Sequence, residues 1–163
     1  MLCLLKEMYQ KQFELDQEIA SNHHISYEET KDKRLLALLV ELGEFANATR
    51  TFKFWSFKPS ESKERVLDEF ADGLHFLLSL GLAYGFHLDS IEVEKSTDDL
   101  TEAILNSYHY IDEFSNDRCL VKYAKMFEGY LKILATLGYS WQDAYDAYFL
   151  KLEENHHRQE TNY

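Results

Sequence analysis

The residues of this chain best suited to do chemistry are two pairs of carboxylates, each pair three residues apart. Glu41 and Glu44 form the first pair, and Glu69 and Asp72 form the second. Both pairs lie in strongly apolar sequence of helical periodicity, and residues three apart share a helix face. Four carboxylates that converge between two helices repel one another unless a multivalent cation neutralises them. The spacing therefore predicts a metal site.

The sequence around the second pair favours a buried site. An isolated Glu-x-x-Glu pattern is more often the exposed strip of an amphipathic helix, which is the alternative interpretation. Apolar residues, however, cover one broad side of this segment around Phe70, and Phe76 and Leu80 lie on the side that carries the two acids. A helix that is apolar on nearly every face is expected to be buried. Because too few lysines lie nearby to pair with all the acids, coordination of a cation is favoured.

The all-oxygen ligand set favours Mg²⁺ first and Mn²⁺ second. The chemistry it suggests is hydrolysis of a phosphoryl or nucleotidyl group, in which metals neutralise phosphate charge and orient a water molecule. A rival interpretation starts from Asp72-Gly-Leu-His75, which has the carboxylate-x-x-His spacing of di-iron bundles. Only one histidine stands at such a spacing, which weakens that alternative.

Composition predicts one soluble all-α domain spanning residues 1–163. The chain has only one proline and six glycines, and its net charge of -12 argues against nucleic acid or an anionic membrane as a binding partner. Cys3 and Cys119 have neither zinc spacing nor a disulfide framework, so we expect two buried thiols in a reducing cytoplasm. We find no targeting signal and no apolar run long enough to span a bilayer, and we therefore expect a cytoplasmic protein.

Helical periodicity predicts a bundle of about five to seven helices. Ser26 with Glu29 is a capping-box pattern, Ser140 with Asp143 is a second cap, and Gly85 is a helix stop. The predicted helices cover about 2–21, 27–51, 61–84, 88–95, 97–114, 118–137 and 141–155, with Ser60 as the cap of the third. The polar residues 156–163 are expected either to fray or to form a mobile tail that orders on substrate binding.

Taken together, Glu41-x-x-Glu44, Phe52-Lys-Phe-Trp55 and Glu69-x-x-Asp72-x-x-His75-Phe76 closely resemble the dimeric all-α dUTPase family, within the wider MazG-like pyrophosphatases. Gln12-Phe-Glu-Leu-Asp16 is similar to the family's N-terminal motif, and the segment from Lys151 to Tyr163 is similar to its C-terminal phosphate-binding motif. Leu152 and Asn162 depart from that last motif, where the family has Asn and Gly. The resemblance covers essentially the whole chain.

The resemblance implies Mg²⁺-dependent hydrolysis of dUTP, and of dUDP, to dUMP with release of pyrophosphate or phosphate, which limits uracil incorporation into DNA. The four carboxylates would hold two or more Mg²⁺ ions, with Glu44 the preferred residue to orient or deprotonate the water. The family also implies a homodimer. Base and sugar contacts would come from Gln12, Asp16, His75 and Phe76, and phosphate contacts from Lys53, Trp55, Lys58, Lys151, Asn155 and Arg158.

Each of these assignments has a plainer alternative that the sequence leaves open. Gln12 could be a helix-surface glutamine, His75 a satisfied core histidine, and Trp55 a hydrophobic plug of the bundle. At the level of function, one alternative is a MazG-like pyrophosphatase for another nucleotide such as dCTP. An alternative of a different class is a non-enzymatic helical interaction protein that keeps only the scaffold.

Overall fold

The computed structural model describes residues 1–96 and 98–161, and the predicted all-α bundle is confirmed there. The described residues form six helices and one small antiparallel sheet. The helices are α1 (Lys6–His23), α2 (Tyr27–Thr49), α3 (Lys63–Tyr84), α4 (Leu100–Asn116), α5 (Leu120–Thr136) and α6 (Trp141–Glu160), and the strands are β1 (Leu2–Leu4) and β2 (Ser90–Glu92). The last two residues, 162 and 163, of the predicted tail lie outside the described residues, whereas residues 156–160 are helical.

Short polar side chains begin the longest helices as the sequence predicted. Ser26 and Ser140 both make complete capping boxes, in which the serine and the acid three residues later bond each other's backbone amides. Gly85 ends α3 in the left-handed region at φ 70°, which glycine adopts without steric cost. The predicted cap of α3 was wrong by two residues, because the side chain of Ser62 and not Ser60 accepts the backbone amide of Arg65.

The two strands correct the start of the helix predicted over residues 2–21 and the helix predicted over residues 88–95. Cys3 pairs with Ile91 in an antiparallel ladder, and burial alternates along β1 with Cys3 inside. The ladder is extended by the N-terminal ammonium, which donates to the Val93 carbonyl at 2.6 Å. The eight-residue segment 88–95 is too short to sustain an isolated helix, and pairing with the N-terminus satisfies part of its backbone instead.

Helix α3 is buried on nearly all sides and packs against α1, α2 and α6. Two tyrosine side chains of α5 also contact α3. The hydroxyl of Tyr130 donates to the Phe70 carbonyl at 2.9 Å, and that of Tyr123 donates to the Leu77 carbonyl at 2.9 Å. Each ring lies over a glycine of α3: a Cβ on Gly73 would be 2.0 Å from the Tyr130 hydroxyl oxygen. Gly81 receives Tyr123 in the same way.

Only one of the two thiols is buried as expected. Cys3 is inaccessible, and burial raises the pKa of its thiol to about 11. Cys119 is partly exposed because it precedes the first turn of α5, and its Sγ lies 3.7 Å from a carboxylate oxygen of Asp117.

Candidate active site

Helices α2 and α3 bring three of the four predicted acids together. One carboxylate oxygen from each of Glu41, Glu69 and Asp72 lies within 4.8 Å of the others. Glu69 is buried, whereas Glu41 and Asp72 are partly exposed. Three convergent carboxylates of this kind form an all-oxygen donor set that fits a hard divalent cation.

The acids of this cluster disfavour one another's charged forms. Burial, together with the nearby charges of Asp72, Glu69 and Glu44, raises the pKa of Glu41 to about 7. Burial also raises the pKa of Glu69 against the opposing effect of Arg65. It raises the pKa of Asp72 as well, against the effect of Lys151. A bound divalent cation would reverse these shifts, since it favours the charged form of every ligand.

Basic residues of α3 and α6 offset part of the negative charge. The buried Lys151 ammonium lies 2.6 Å from Asp68 and 3.1 Å from Asp72. Burial alone lowers the pKa of Lys151, but its bonds to these two aspartates outweigh burial and raise it. The guanidinium of Arg65 forms an ion pair with Glu69. The cluster is therefore bordered by cations and not simply repulsive.

Glu44 does not belong to the compact cluster. It is exposed on α2, three residues after Glu41. Its charge is close enough to raise the pKa values of Glu41 and Glu69. Three residues turn a helix by about 300°, so Glu44 lies some 60° away from Glu41 around the axis. It faces the solvent side of the acidic cluster.

A cavity of about 210 Å³ adjoins the acidic cluster, and Glu41 and Asp72 belong to both. It lies between α1, α2, α3 and α6. Its lining contains six of the residues predicted to contact substrate, together with residues that the sequence did not single out. The predicted ones are Gln12, Asp16, His75, Phe76, Asn155 and Arg158.

A hydrogen-bonded network joins α1 to α3 and α6 at the floor of this cavity. The Gln12 side-chain oxygen lies 2.6 Å from Nδ1 of His75 and 3.1 Å from the Tyr148 hydroxyl, and its amide nitrogen donates to Asp16 at 3.0 Å. The His75 ring stacks on Tyr148 with centroids 4.2 Å apart. Gln12 and His75 are both buried, so the surface-glutamine alternative is excluded.

Apart from Lys151, which lies beside the acidic cluster, the predicted phosphate contacts divide into two groups. Asn155 and Arg158 line the cavity on α6, and the Arg158 guanidinium donates to the side-chain oxygen of Asn155 at 3.3 Å. Lys53, Trp55 and Lys58 lie on the loop between α2 and α3 and do not line it. Their roles stay predictions.

The loop residues have contacts of their own. The Lys53 ammonium donates to Asn47 at 2.5 Å. Trp55 is 63% exposed and makes edge contacts with Phe52 and Phe54, which argues against a plug of the bundle. Lys58 is exposed, and its carbonyl accepts a hydrogen bond from Arg50.

Sequence reasoning missed Arg34 and Ser79, which also line the cavity. Arg34 is seven residues before Glu41, a spacing that returns to the same face of α2, and this signal could have identified it. Its guanidinium lies 3.4 Å from Asp16 and donates to Ser79. The Ser79 hydroxyl in turn donates to Asp16 at 2.7 Å.

A wider cleft of about 560 Å³ lies on another side of α1, between Lys6, Phe13, Tyr27 and His87. None of the predicted site residues lines it. The smaller cavity is the better candidate because it combines the acids with buried, convergent polar groups.

An all-α bundle that sets convergent carboxylates beside a polar cavity defines a class of hydrolase, and the comparison with known families specifies which. A family model described as dUTPase matches residues 4–163, and the chain belongs to this dUTPase family. The chain is accordingly a dUTP diphosphatase, and the resemblance to the all-α dUTPases is confirmed. No curated protein matches the chain significantly. Among the described residues, no helix combines the length and apolarity needed to cross a membrane.

Proposed function

We propose that this enzyme hydrolyses dUTP, and also dUDP, to dUMP in a Mg²⁺-dependent reaction that releases pyrophosphate or phosphate. In the cell this would limit uracil incorporation into DNA. The observation that carries the proposal is the continuity between the acidic cluster and the cavity through Glu41 and Asp72. It allows one ligand to place its phosphates beside metal ions that the acids would hold, while its base enters the cavity.

Glu41, Glu69 and Asp72 would hold the Mg²⁺ ions, with Glu44 completing the set from the solvent side. When bound, Mg²⁺ would neutralise phosphate charge and polarise the attacked phosphorus. Glu44 is our preferred residue to orient the attacking water or accept its proton. Its exposure supports this role because a water molecule can reach it directly.

The size of the cavity supports a base-binding role. At about 210 Å³ it is smaller than the few hundred Å³ of typical small-ligand sites, so a complete nucleoside triphosphate would extend out of it. Gln12, His75 and Phe76 would contact the base, and Asp16 would contact the base or sugar.

The polyphosphate would meet donors from α6 and from the loop that follows α2. Asn155 and Arg158 would bind it at the cavity, and Lys151 would bind it beside the acidic cluster. Lys53, Trp55 and Lys58 would contact phosphates further out. Ammonium and guanidinium groups are suited to phosphate oxygens, and an indole N–H can donate to them.

The primary test measures pyrophosphate release from dUTP with and without Mg²⁺, beside dTTP and dCTP. We expect turnover of dUTP only with Mg²⁺. Glu41→Gln is expected to lower kcat by about 100-fold or more, the scale on which preorganised charge contributes. The same change removes a carboxylate that burial disfavours, so the metal-free variant should be at least as stable as wild type. Glu28→Gln, at an exposed position of the same helix, is the matched control.

Each outcome separates the competing functions. Preference for dCTP would reject the uracil assignment and support the MazG-like alternative with the same chemistry. Unchanged hydrolysis in both Glu41→Gln and Asp72→Asn would reject the acidic cluster as the catalytic centre. Absence of hydrolysis with every nucleotide would favour the non-enzymatic interaction protein.

A further inference from the structure

The His75 imidazole presents one ring nitrogen that nothing in the described part of the chain satisfies. Nδ1 lies 2.6 Å from the Gln12 side-chain oxygen, whereas Nε2 is buried without a hydrogen-bond partner. Burial lowers the pKa of His75 to about 3, so the ring is neutral near pH 7 and carries a single proton. Which nitrogen carries that proton is decided by the groups that face the ring.

The orientation of the Gln12 amide follows from its neighbour on α1. The Asp16 carboxylate accepts hydrogen bonds and has none to give, so the group facing it at 3.0 Å must be the amide NH₂ of Gln12. The carbonyl oxygen of Gln12 then faces Nδ1 of His75, and an oxygen without a proton requires Nδ1 to donate. The Tyr148 hydroxyl, 3.1 Å from the same oxygen, is compatible because it can donate as well.

The Arg34 guanidinium also constrains the orientation of the Gln12 amide, because it contacts the Asp16 carboxylate that faces Gln12. It lies 3.4 Å from the same Asp16 oxygen that Gln12 contacts, and its Nε donates to Thr30 at 3.0 Å. A guanidinium has only donors, so whatever group occupies that position of residue 16 must be an acceptor. The other Asp16 oxygen accepts hydrogen bonds from the hydroxyls of Tyr27 and Ser79, and a hydroxyl can also accept.

We propose that Arg34 and Asp16 are positioning residues that act through the Gln12 amide to hold His75 in its Nδ1–H tautomer, which leaves Nε2 as an acceptor for the imide N–H of uracil. The last part rests on the proposed function. Uracil carries a proton on N3, whereas cytosine has a lone pair there. An acceptor at Nε2 of His75 therefore favours uracil over cytosine. Preference for uracil would thus depend on the Arg34–Asp16 pair, which acts on His75 through Gln12.

The first test reads the tautomer directly in the metal-free, substrate-free protein. Long-range ¹⁵N–¹H correlation spectra distinguish Nδ1–H, Nε2–H and doubly protonated imidazoles, and a His75→Gln sample identifies the signal among the seven histidines. We expect the Nδ1–H pattern in wild type at pH 7. An Nε2–H pattern would overturn the proposal whatever the protein hydrolyses.

Variants then separate positioning from general structural support. Asp16→Asn should keep the Nδ1–H pattern, because Arg34 still requires the amide oxygen of Asn to face it and the hydroxyls can accept from its NH₂. Asp16→Asn combined with Arg34→Met removes that requirement, and a mixture with the Nε2–H tautomer should appear. Tyr27→Phe, which deletes a donor only at the other carboxylate oxygen, is the matched control and should match wild type.

The second test follows specificity. The ratio of kcat/KM for dUTP to that for dCTP should fall by about tenfold or more in the double variant, because the unsatisfied donor or acceptor of a mispaired base is costly. Amide spectra confirm that each variant is folded. A double variant with the wild-type tautomer and ratio would reject the roles of Arg34 and Asp16. A wild-type protein that turns over no uracil nucleotide would reject the proposed function but leave the tautomer result standing.

Discussion

At the scale of single residues, the site combines buried groups that differ in how they tolerate charge. His75 is almost inaccessible and stacks on Tyr148, so protonation there would place an uncompensated cation in the interior. Its pKa is held near 3, far below the ordinary value of 6.5. Glu41 shows the opposite case, because there burial and neighbouring acids favour the protonated form. The protein environment therefore favours the neutral form of both side chains more than water does.

The depressed pKa of His75 predicts acid sensitivity of the fold. Between pH 6.5 and about 3 the unfolded chain binds a proton at this position and the folded chain does not, so stability falls as pH is lowered through that window. Replacing His75 by Gln should flatten the dependence of unfolding free energy on pH by up to about 1.4 kcal/mol per pH unit, the value for one proton. Urea titrations across that range would measure it.

His109→Gln, at an exposed position of α4, controls for the loss of an imidazole and is expected to keep the wild-type slope. An identical pH dependence in His75→Gln and wild type would show that His75 takes up its proton in the folded protein as readily as in the unfolded one.

At the scale of elements, α3 is positioned by tyrosines of α5 that are seated on glycines. The Tyr130 ring and hydroxyl occupy the space in which residue 73 would carry a Cβ, and the hydroxyl bonds a carbonyl of the same helix turn. This contact lies next to Asp72 and so holds the acidic helix at a fixed distance from α5. Glycine is required there by close approach, because the helical backbone of α3 needs no special φ.

We therefore expect Gly73→Ala to lower the free energy of unfolding by about 2 kcal/mol, since the added methyl group overpacks a filled interior. Chemical denaturation with guanidinium would measure the change. Gly43→Ala in α2 is the control, because its Cβ would meet only the Tyr108 hydroxyl oxygen at 3.4 Å. It should be neutral or stabilising by up to about 1 kcal/mol through helix propensity. Equal changes in unfolding free energy at the two positions would contradict the close packing of Tyr130 against Gly73.

At the scale of the whole molecule, several large apolar side chains are exposed on the surface. Leu36 and Val40 lie one turn apart on α2 and are 62% and 52% exposed. Exposed apolar pairs of this kind favour burial against another protein surface. They support the proposal of a homodimer that the family resemblance implies.

Sedimentation at micromolar concentration should give a mass about twice the 19.3 kDa of one chain. Leu36→Glu combined with Val40→Glu should shift the protein toward the monomer, because a dimer would bury the two charges. Leu150→Glu, equally exposed on α6, is the control and should sediment like wild type. A monomer mass for the wild-type chain at all concentrations would reject the dimer.

Local signals allowed much of the fold to be predicted from the sequence. Both capping boxes and the glycine stop of α3 depend on residues a few positions apart, and all three were found at the predicted places. The acids of α2 and α3 could be assigned to one site because burial of their helices left few other arrangements. The β1–β2 pair could not be predicted, since each strand has only three residues and its partner is distant in sequence.

The finer arrangement of the site required tertiary information. Spacing alone could not show that Glu41 points into the cluster while Glu44 faces solvent. The seven-residue spacing to Glu41 could place Arg34 on the same face of α2, but its ion pair with Asp16 of α1 could not be predicted, because the sequence does not reveal that the two helices meet there. That Gln12 and His75 belong to one site was predicted only through the family resemblance, and their direct contact was not predicted.

The short β1–β2 ladder has a consequence for the order in which the chain assembles. By pairing Leu2 with Glu92 it closes a circuit of roughly 90 residues that contains α1, α2 and α3 and therefore every carboxylate of the acidic cluster. Three residue pairs cannot repay the chain entropy of so long a closure on their own. The ladder should therefore form after the three helices have packed, and its amide protons should report when α1, α2 and α3 have assembled.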